Sequence, residues 1–191
     1  MDKSDFIQEL YKKGCVKFLN DRLCIDLKIM VGYPNLVHYD TNIFKEKAET
    51  LEIDAIIGMS FFGIIYASYL SSKLNKPLCV IKTEKVLQRE IADPHNVINR
   101  NKEGSRELNI IVVVDSIEKG FKLASFLNTI YKRIGKCNIV GIFTVCDNCI
   151  AKNKYLNLTD YYIFNIINAH DVINNLLEFS NISSRDFLQI Y

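Results

Sequence analysis

The sequence predicts an α/β fold, with a central parallel, doubly wound sheet flanked by helices in a single domain over residues 1–191. Three observations carry this expectation. Short apolar runs of strand length alternate with longer segments of helical period, the pattern of a parallel sheet with crossover helices. The run Asn109-Ile-Ile-Val-Val-Val114 is apolar at five successive positions and reads as a central strand buried on both faces. Two connections, Gly58-Met-Ser-Phe-Phe-Gly63 and Asp115-Ser-Ile-Glu-Lys-Gly120, begin where a strand gives way to a helix. Ligands of doubly wound sheets sit at such places.

In chain order, Asp5 to Tyr11 has helical spacing and ends near Gly14. Leu23 to Leu27 alternates as a strand does. After Pro34, a helix over Leu36 to Leu51 leads to the buried strand Ile53 to Ile57. The Gly58–Gly63 loop enters a helix that runs to about Leu74, and Leu78 to Ile81 is a short strand bounded by Pro77. Thr83 to Leu108 is long, polar and weakly patterned, and is expected to be a mobile loop over 83–108. Asp115 to Lys119 is a tight connection from the central strand into a helix over Gly120 to Ile134. Ile139 to Val145 and Tyr161 to Ile166 supply two more strands. Asn168, followed three residues later by Asp171, forms an N-cap signature opening a helix over Val172 to Phe179.

Composition narrows the function classes. Hydrophobic residues make up 49% and charged residues 24%, the balance of a folded globular chain. A formal charge of +2 gives no bulk electrostatic case for nucleic acid. The apolar runs are short and broken, so no membrane span is expected, and the N-terminal stretch has no apolar signal region. Six cysteines at irregular spacing then read as reduced thiols of a cytoplasmic protein. Cys146-Asp-Asn-Cys149 is a lone CxxC; structural zinc needs four ligands, so no metal site is expected. Abundant Asn, Ile, Lys and Tyr without Trp point to an AT-rich genome, whether viral, parasitic or microbial.

Five segments resemble, in order, the type I phosphoribosyltransferases, and within them the orotate phosphoribosyltransferases. Gly14-Cys-Val-Lys-Phe18 resembles their G-A-x-K-F, and Ile25-Asp-Leu-Lys28 their I-D-L-R. Gly58 to Gly63 resembles the pyrophosphate loop G-x-x-x-x-G. Lys76-Pro-Leu78 with Lys82-Thr-Glu84 resembles the strand and basic start of the mobile catalytic loop. Gly141 to Asp147 resembles the strand ending in D-R beside the base. A sixth stretch, Ile111 to Gly120, is similar to the family's central element: an apolar strand, two acids, then a Thr/Ser-rich turn ending in Gly. The resemblance implies a small N-terminal hood over the sheet. It implies that the acids hold the ribose hydroxyls of phosphoribosyl pyrophosphate (PRPP) and that the turn wraps its 5′-phosphate. Asp115, Lys119, Gly120, Gly58 and Gly63 become the ligand-binding candidates, and Lys82, Lys85 and Asp115 the vestigial catalytic ones. Mg²⁺ is implied only if PRPP binding is retained, and otherwise no cofactor is expected.

The departures fall on the functional positions. Val114 stands where the first ribose-binding acid belongs. Glu118 and Lys119 replace hydroxyl donors in the phosphate turn, and a carboxylate facing a phosphate repels it. Phe62 stands where orotate enzymes often carry Lys, Thr83 and Val86 where further basic residues are expected, and Asn148 where Arg follows Asp147. The S-G-x-x-S-P-Y segment that closes over orotate has no counterpart between Leu23 and Ile25. Three readings follow. The first is a catalytically inactive relative acting as a structural or regulatory subunit through protein contacts. The second is a module or sensor binding a nucleotide, ribose phosphate or PRPP. The third is an active transferase of altered specificity using Asp115, Lys82 and Lys85. A homodimer is expected through the apolar cluster Phe61, Phe62, Ile64, Ile65, Tyr66 and Tyr69, alongside a protein partner of unspecified identity.

Overall fold

The computed structural model describes residues 1–19, 22–81, 91–92, 107–117, 121–147 and 161–180. Helix α1 (Lys3–Lys12) opens on a capping box: Asp2 accepts from the Asp5 amide at 2.8 Å, and the Asp5 carboxylate accepts from the Asp2 amide at 3.4 Å. It buries Phe6, Ile7 and Leu10 and stops at Gly14, whose φ of +68° suits a residue without Cβ. Strands β1 (Val16–Leu19) and β2 (Arg22–Ile25) pair antiparallel as a separate two-stranded sheet, the expected hood. The second strand ends earlier than its alternation suggests, because Asp26 turns to cap the short helix α2 (Leu27–Met30).

Helix α3 (Pro34–Ala48) starts at Pro34 itself, since proline at the first helical position has a suitable φ and loses no hydrogen bond there. Strand β3 (Ala55–Gly58) passes into helix α4 (Ser60–Leu74), which ends on Asn75 in the left-handed region. The expected loop Gly58–Gly63 is therefore mostly the first turn of α4. Next come β4 (Leu78–Ile81), β5 (Ile91–Ala92), β6 (Leu108–Ile117), helix α5 (Phe121–Ile134), β7 (Cys137–Asp147), β8 (Ile163–Asn168) and helix α6 (Ala169–Ser180). Strand β6 outruns its apolar centre, so Asp115 and Ser116 lie on the strand and not in a turn. Within the stretch expected to be a mobile loop, β5 pairs with β4; residues 82–90 and 93–106 lie outside the described residues.

The main sheet has the order β5-β4-β3-β6-β7-β8. Five strands run parallel and β5 joins β4 antiparallel at the edge. Two cores cover its faces. Ile56, Ile111, Val113 and Phe143 meet Phe6, Phe44, Tyr66 and Leu176 from α1, α3, α4 and α6. Ile57, Val112, Val114 and Ile142 meet Leu123, Phe126 and Ile130 from α5. Each fully buried side chain of this size contributes roughly 1.5–3 kcal/mol by leaving water. The alternation along β6 sends neighbours to opposite cores, which is why the strand reads as continuously apolar. No helix among the described residues is long and apolar enough to cross a membrane.

Candidate ligand site at the strand carboxyl ends

The carboxyl ends of β3, β6 and β7 lie side by side: Gly58 is in register with Val113, and Ile117 with Asp147. The first turn of α4 folds down onto the end of β6. A Cβ on Gly58 would come 2.7 Å from Ile64 Cα, and one on Gly63 would come 2.7 Å from the Val113 carbonyl oxygen. Both glycines are thus required by close approach, one of strand to helix and one of helix to strand. The Met59 amide donates to the same Val113 carbonyl at 2.8 Å. Ser60 takes φ +67°, a left-handed conformation costing a side-chain-bearing residue about 1–2 kcal/mol. Its hydroxyl bonds the Met59 carbonyl and accepts the Gly63 amide at 3.3 Å. The helix so begun has Met59 as an N-cap with no side-chain bond, and amide groups at such a terminus favour an anion.

Asp115 is half-buried at the end of β6. One carboxylate oxygen accepts the Ser116 amide at 2.7 Å, and its carbonyl lies 3.2 Å from the Thr144 hydroxyl. Thr144 is fully buried, and its hydroxyl is also 3.2 Å from the Cys146 carbonyl. It links the two strands between the paired positions Val114–Thr144 and Ser116–Cys146. Val114 is only 2% exposed and belongs to the apolar core with Ile57, Ile117, Leu123 and Phe126. The position expected to hold a ribose-binding acid therefore packs as core.

Of the candidate site residues, Gly58, Gly63 and Asp115 lie at the same end of the sheet: the Gly63 Cβ position is 3.2 Å from Val114 Cα, and Asp115 is the next residue along β6. Lys82, Lys85, Glu118, Lys119, Gly120 and Asn148 lie outside the described residues. Ser60 and Thr144 escape a reading based on apolar period. A hydroxyl between the apolar residues Phe143 and Val145 is the signal that could have marked Thr144. The aromatic cluster divides: Phe61 is 72% exposed and Tyr69 52%, but Tyr66 is sealed in the core. Tyr66 thus leaves the expected association face, because its position on α4 points toward Phe44 of α3.

In the hood, Lys17 reaches the Asp26 carboxylate at 2.6 Å. That ammonium holds the Asp26 carboxyl below its ordinary range. Burial, with the Asp26 charge nearby, pushes the Cys15 thiol up to about 11, so it is an inert neutral thiol. Among the described residues no group of three His, Cys, Asp or Glu side chains could hold a metal ion.

No family model matches the chain. Its sequence is similar to orotate phosphoribosyltransferase of Archaeoglobus fulgidus, with 23% identity over 175 residues that cover 87% of this chain and 93% of that one. Orotate phosphoribosyltransferase of Pyrococcus horikoshii is 26% identical over 155 residues, covering 76% and 79%. Among solved structures, the orotate phosphoribosyltransferase of Aeropyrum pernix superposes with a TM-score of 0.70 at 16% identity, over 90% of this chain and 97% of that one. UMP synthase of Leishmania donovani superposes with a TM-score of 0.74 at 18% identity, over the whole of this chain but only 43% of that one.

Proposed function

We propose that this member of the type I phosphoribosyltransferase family, akin in sequence to its orotate branch, is a non-catalytic protein that acts through protein contacts in the cytoplasm. The observation that carries the reading is Val114. A transferase releasing pyrophosphate must hold several negative charges on PRPP through Mg²⁺, ribose-binding acids and a donor-rich turn. Val114 offers no acceptor and is packed into the core below the site. Asp115 keeps one carboxylate oxygen on its own neighbour's amide. In the sequence Glu118 stands where the family resemblance puts a hydroxyl donor for the phosphate, and a carboxylate there would repel it. Each charge-assisted hydrogen bond lost is worth about 1.5–3 kcal/mol, so three losses weaken PRPP binding by several orders of magnitude.

A second reading draws on what is kept. Gly58, Gly63, Ser60 and Asp115 retain a helix start and a carboxylate at one strand end, a pair suited to a ribose phosphate. The names of the curated relatives favour retained transferase chemistry, with Lys82 and Lys85 available from the sequence. One experiment separates the readings. The purified chain is incubated with orotate, PRPP and Mg²⁺, and nucleotide formation is followed alongside the thermal midpoint. The expected result is neither turnover nor stabilisation. Turnover at the ordinary rate of the family overturns the non-catalytic reading. Stabilisation without turnover supports the binding module, since a ligand at a hundred times its Kd adds about 2.7 kcal/mol.

A further inference from the structure

Away from the strand ends, one polar group is out of place in the core. Asp40, in the middle of α3, is 0% exposed, and neither carboxylate oxygen has a hydrogen-bond partner. Opposite it, from α4, stands the Tyr66 hydroxyl, also buried and also without completed hydrogen-bond geometry. The two groups nevertheless act on each other's proton affinity. On α3 itself Tyr39 is the neighbouring titratable group, and it feels Asp2 and Asp5 of α1 and Glu46 as well as Asp40. Of the strands packed against α3, β8 has no titratable side chain over Ile163–Asn168, and β7 meets Phe44 through Phe143. A cation also crosses between these helices, Lys73 of α4 donating to the Asn42 side chain of α3 at 2.9 Å, but apart from burial the group that acts on the Asp40 carboxyl is the Tyr66 phenol.

An ionised carboxylate in such a place would be a buried charge facing only groups that cannot neutralise it. The Tyr66 hydroxyl is the donor facing the carboxyl and offsets part of the cost of ionisation, but burial outweighs it and holds the carboxyl in its neutral form well above the ordinary carboxylate range. We propose that Asp40 is a pH-responsive latch between α3 and α4: neutral, it holds the two helices together, and on giving its proton to solvent it loosens α4 and the Gly58–Gly63 turn at its start. This inference stands apart from whatever the strand-end site binds, because Tyr66 lies on α4 itself, six residues along from Ser60.

The direct test uses the unmodified chain, with the Asp40 carboxyl carbon followed by NMR as pH is raised. The resonance is expected to stay at the neutral-acid position through pH values where exposed aspartates are fully ionised. In parallel, the folding equilibrium constant from urea titrations should fall by about tenfold per pH unit above the ordinary aspartate range, one proton being released on unfolding. Asp40→Asn and Asp40→Leu should each remove that fall. Amide exchange in the first turn of α4, corrected for the intrinsic effect of pH, should quicken with pH in the unmodified chain but not in these variants. A carboxyl already ionised at mildly acidic pH overturns the proposal. So does a stability profile that is unchanged in either variant, as would follow if an ordered water satisfied an ionised Asp40.

Discussion

At the scale of single residues, the close approaches around Gly63 and Ser60 have consequences that thermal or urea unfolding can read. Gly63→Ala forces a methyl group to 2.7 Å from the Val113 carbonyl, where nothing flexible can give way. A loss of about 1–3 kcal/mol is expected, as for other overpacked positions. Ser60→Gly relieves the left-handed backbone while giving up the bond from the Gly63 amide, so it should change stability by less than about 1 kcal/mol. Val114→Glu is the change that nominally restores the missing acid. With Val114 2% exposed in the α5 core, it should cost about 3 kcal/mol or more and recover no transferase activity. Full-strength folding with restored turnover in that variant would show that the position opens to the site. The chemistry of these residues was legible in part. Gly58, Gly63 and Asp115 follow from spacing at strand ends. The direction of the Val114 side chain and the strain at Ser60 do not, since both depend on how far β6 and α4 extend.

Among the elements, those closed by local chemistry matched expectation best. The Asn168–Asp171 signature is a capping box in the structure: the Asp171 amide reaches the Asn168 side chain at 2.8 Å, and the Asn168 amide reaches the Asp171 carboxylate at 3.3 Å. Asp171 also receives Lys3 at 2.6 Å, joining α6 to α1. Asp171→Ala should therefore cost about 1 kcal/mol and raise amide exchange in the first turn of α6. Elements whose ends depend on tertiary partners were harder to read. β1 went unrecognised because its four residues make sense only against β2, and β5 because two residues carry no period. The ion pair of the hood gives a pH dependence with a definite sign. Lys17 lowers the folded pKa of Asp26, so the pair contributes stability above the unfolded value and loses it as pH falls through the folded one. Asp26→Asn should lower stability at neutral pH and flatten the acid limb of the curve, so that the variant and the unmodified chain converge in acid.

For the whole molecule, the loss at Asp26 as pH falls and the loss that the proposed Asp40 latch brings as pH rises act from opposite sides, and urea titrations across pH should show both limbs. The exposed rings of Phe61 and Tyr69 on α4 remain the surface through which a homodimer is expected. Sedimentation equilibrium at micromolar concentration should give twice the chain mass, and Phe61→Ser with Tyr69→Ser should give the monomer. A monomer from the unaltered chain would overturn the dimer. β3 sits between β4, which follows it closely, and β6, whose Ile110 pairs with Ala55 across more than fifty residues. A growing polypeptide released as far as β4 has built only one side of β3, and the other side, apolar and lined with open amide and carbonyl groups, waits for sequence not yet synthesised. Closing so long a segment is slow compared with forming the helices around it. The unfinished chain therefore passes through an interval in which its most aggregation-prone edge is bare. Chains arrested after β4 should bind chaperones or precipitate, and those carried through β8 should not.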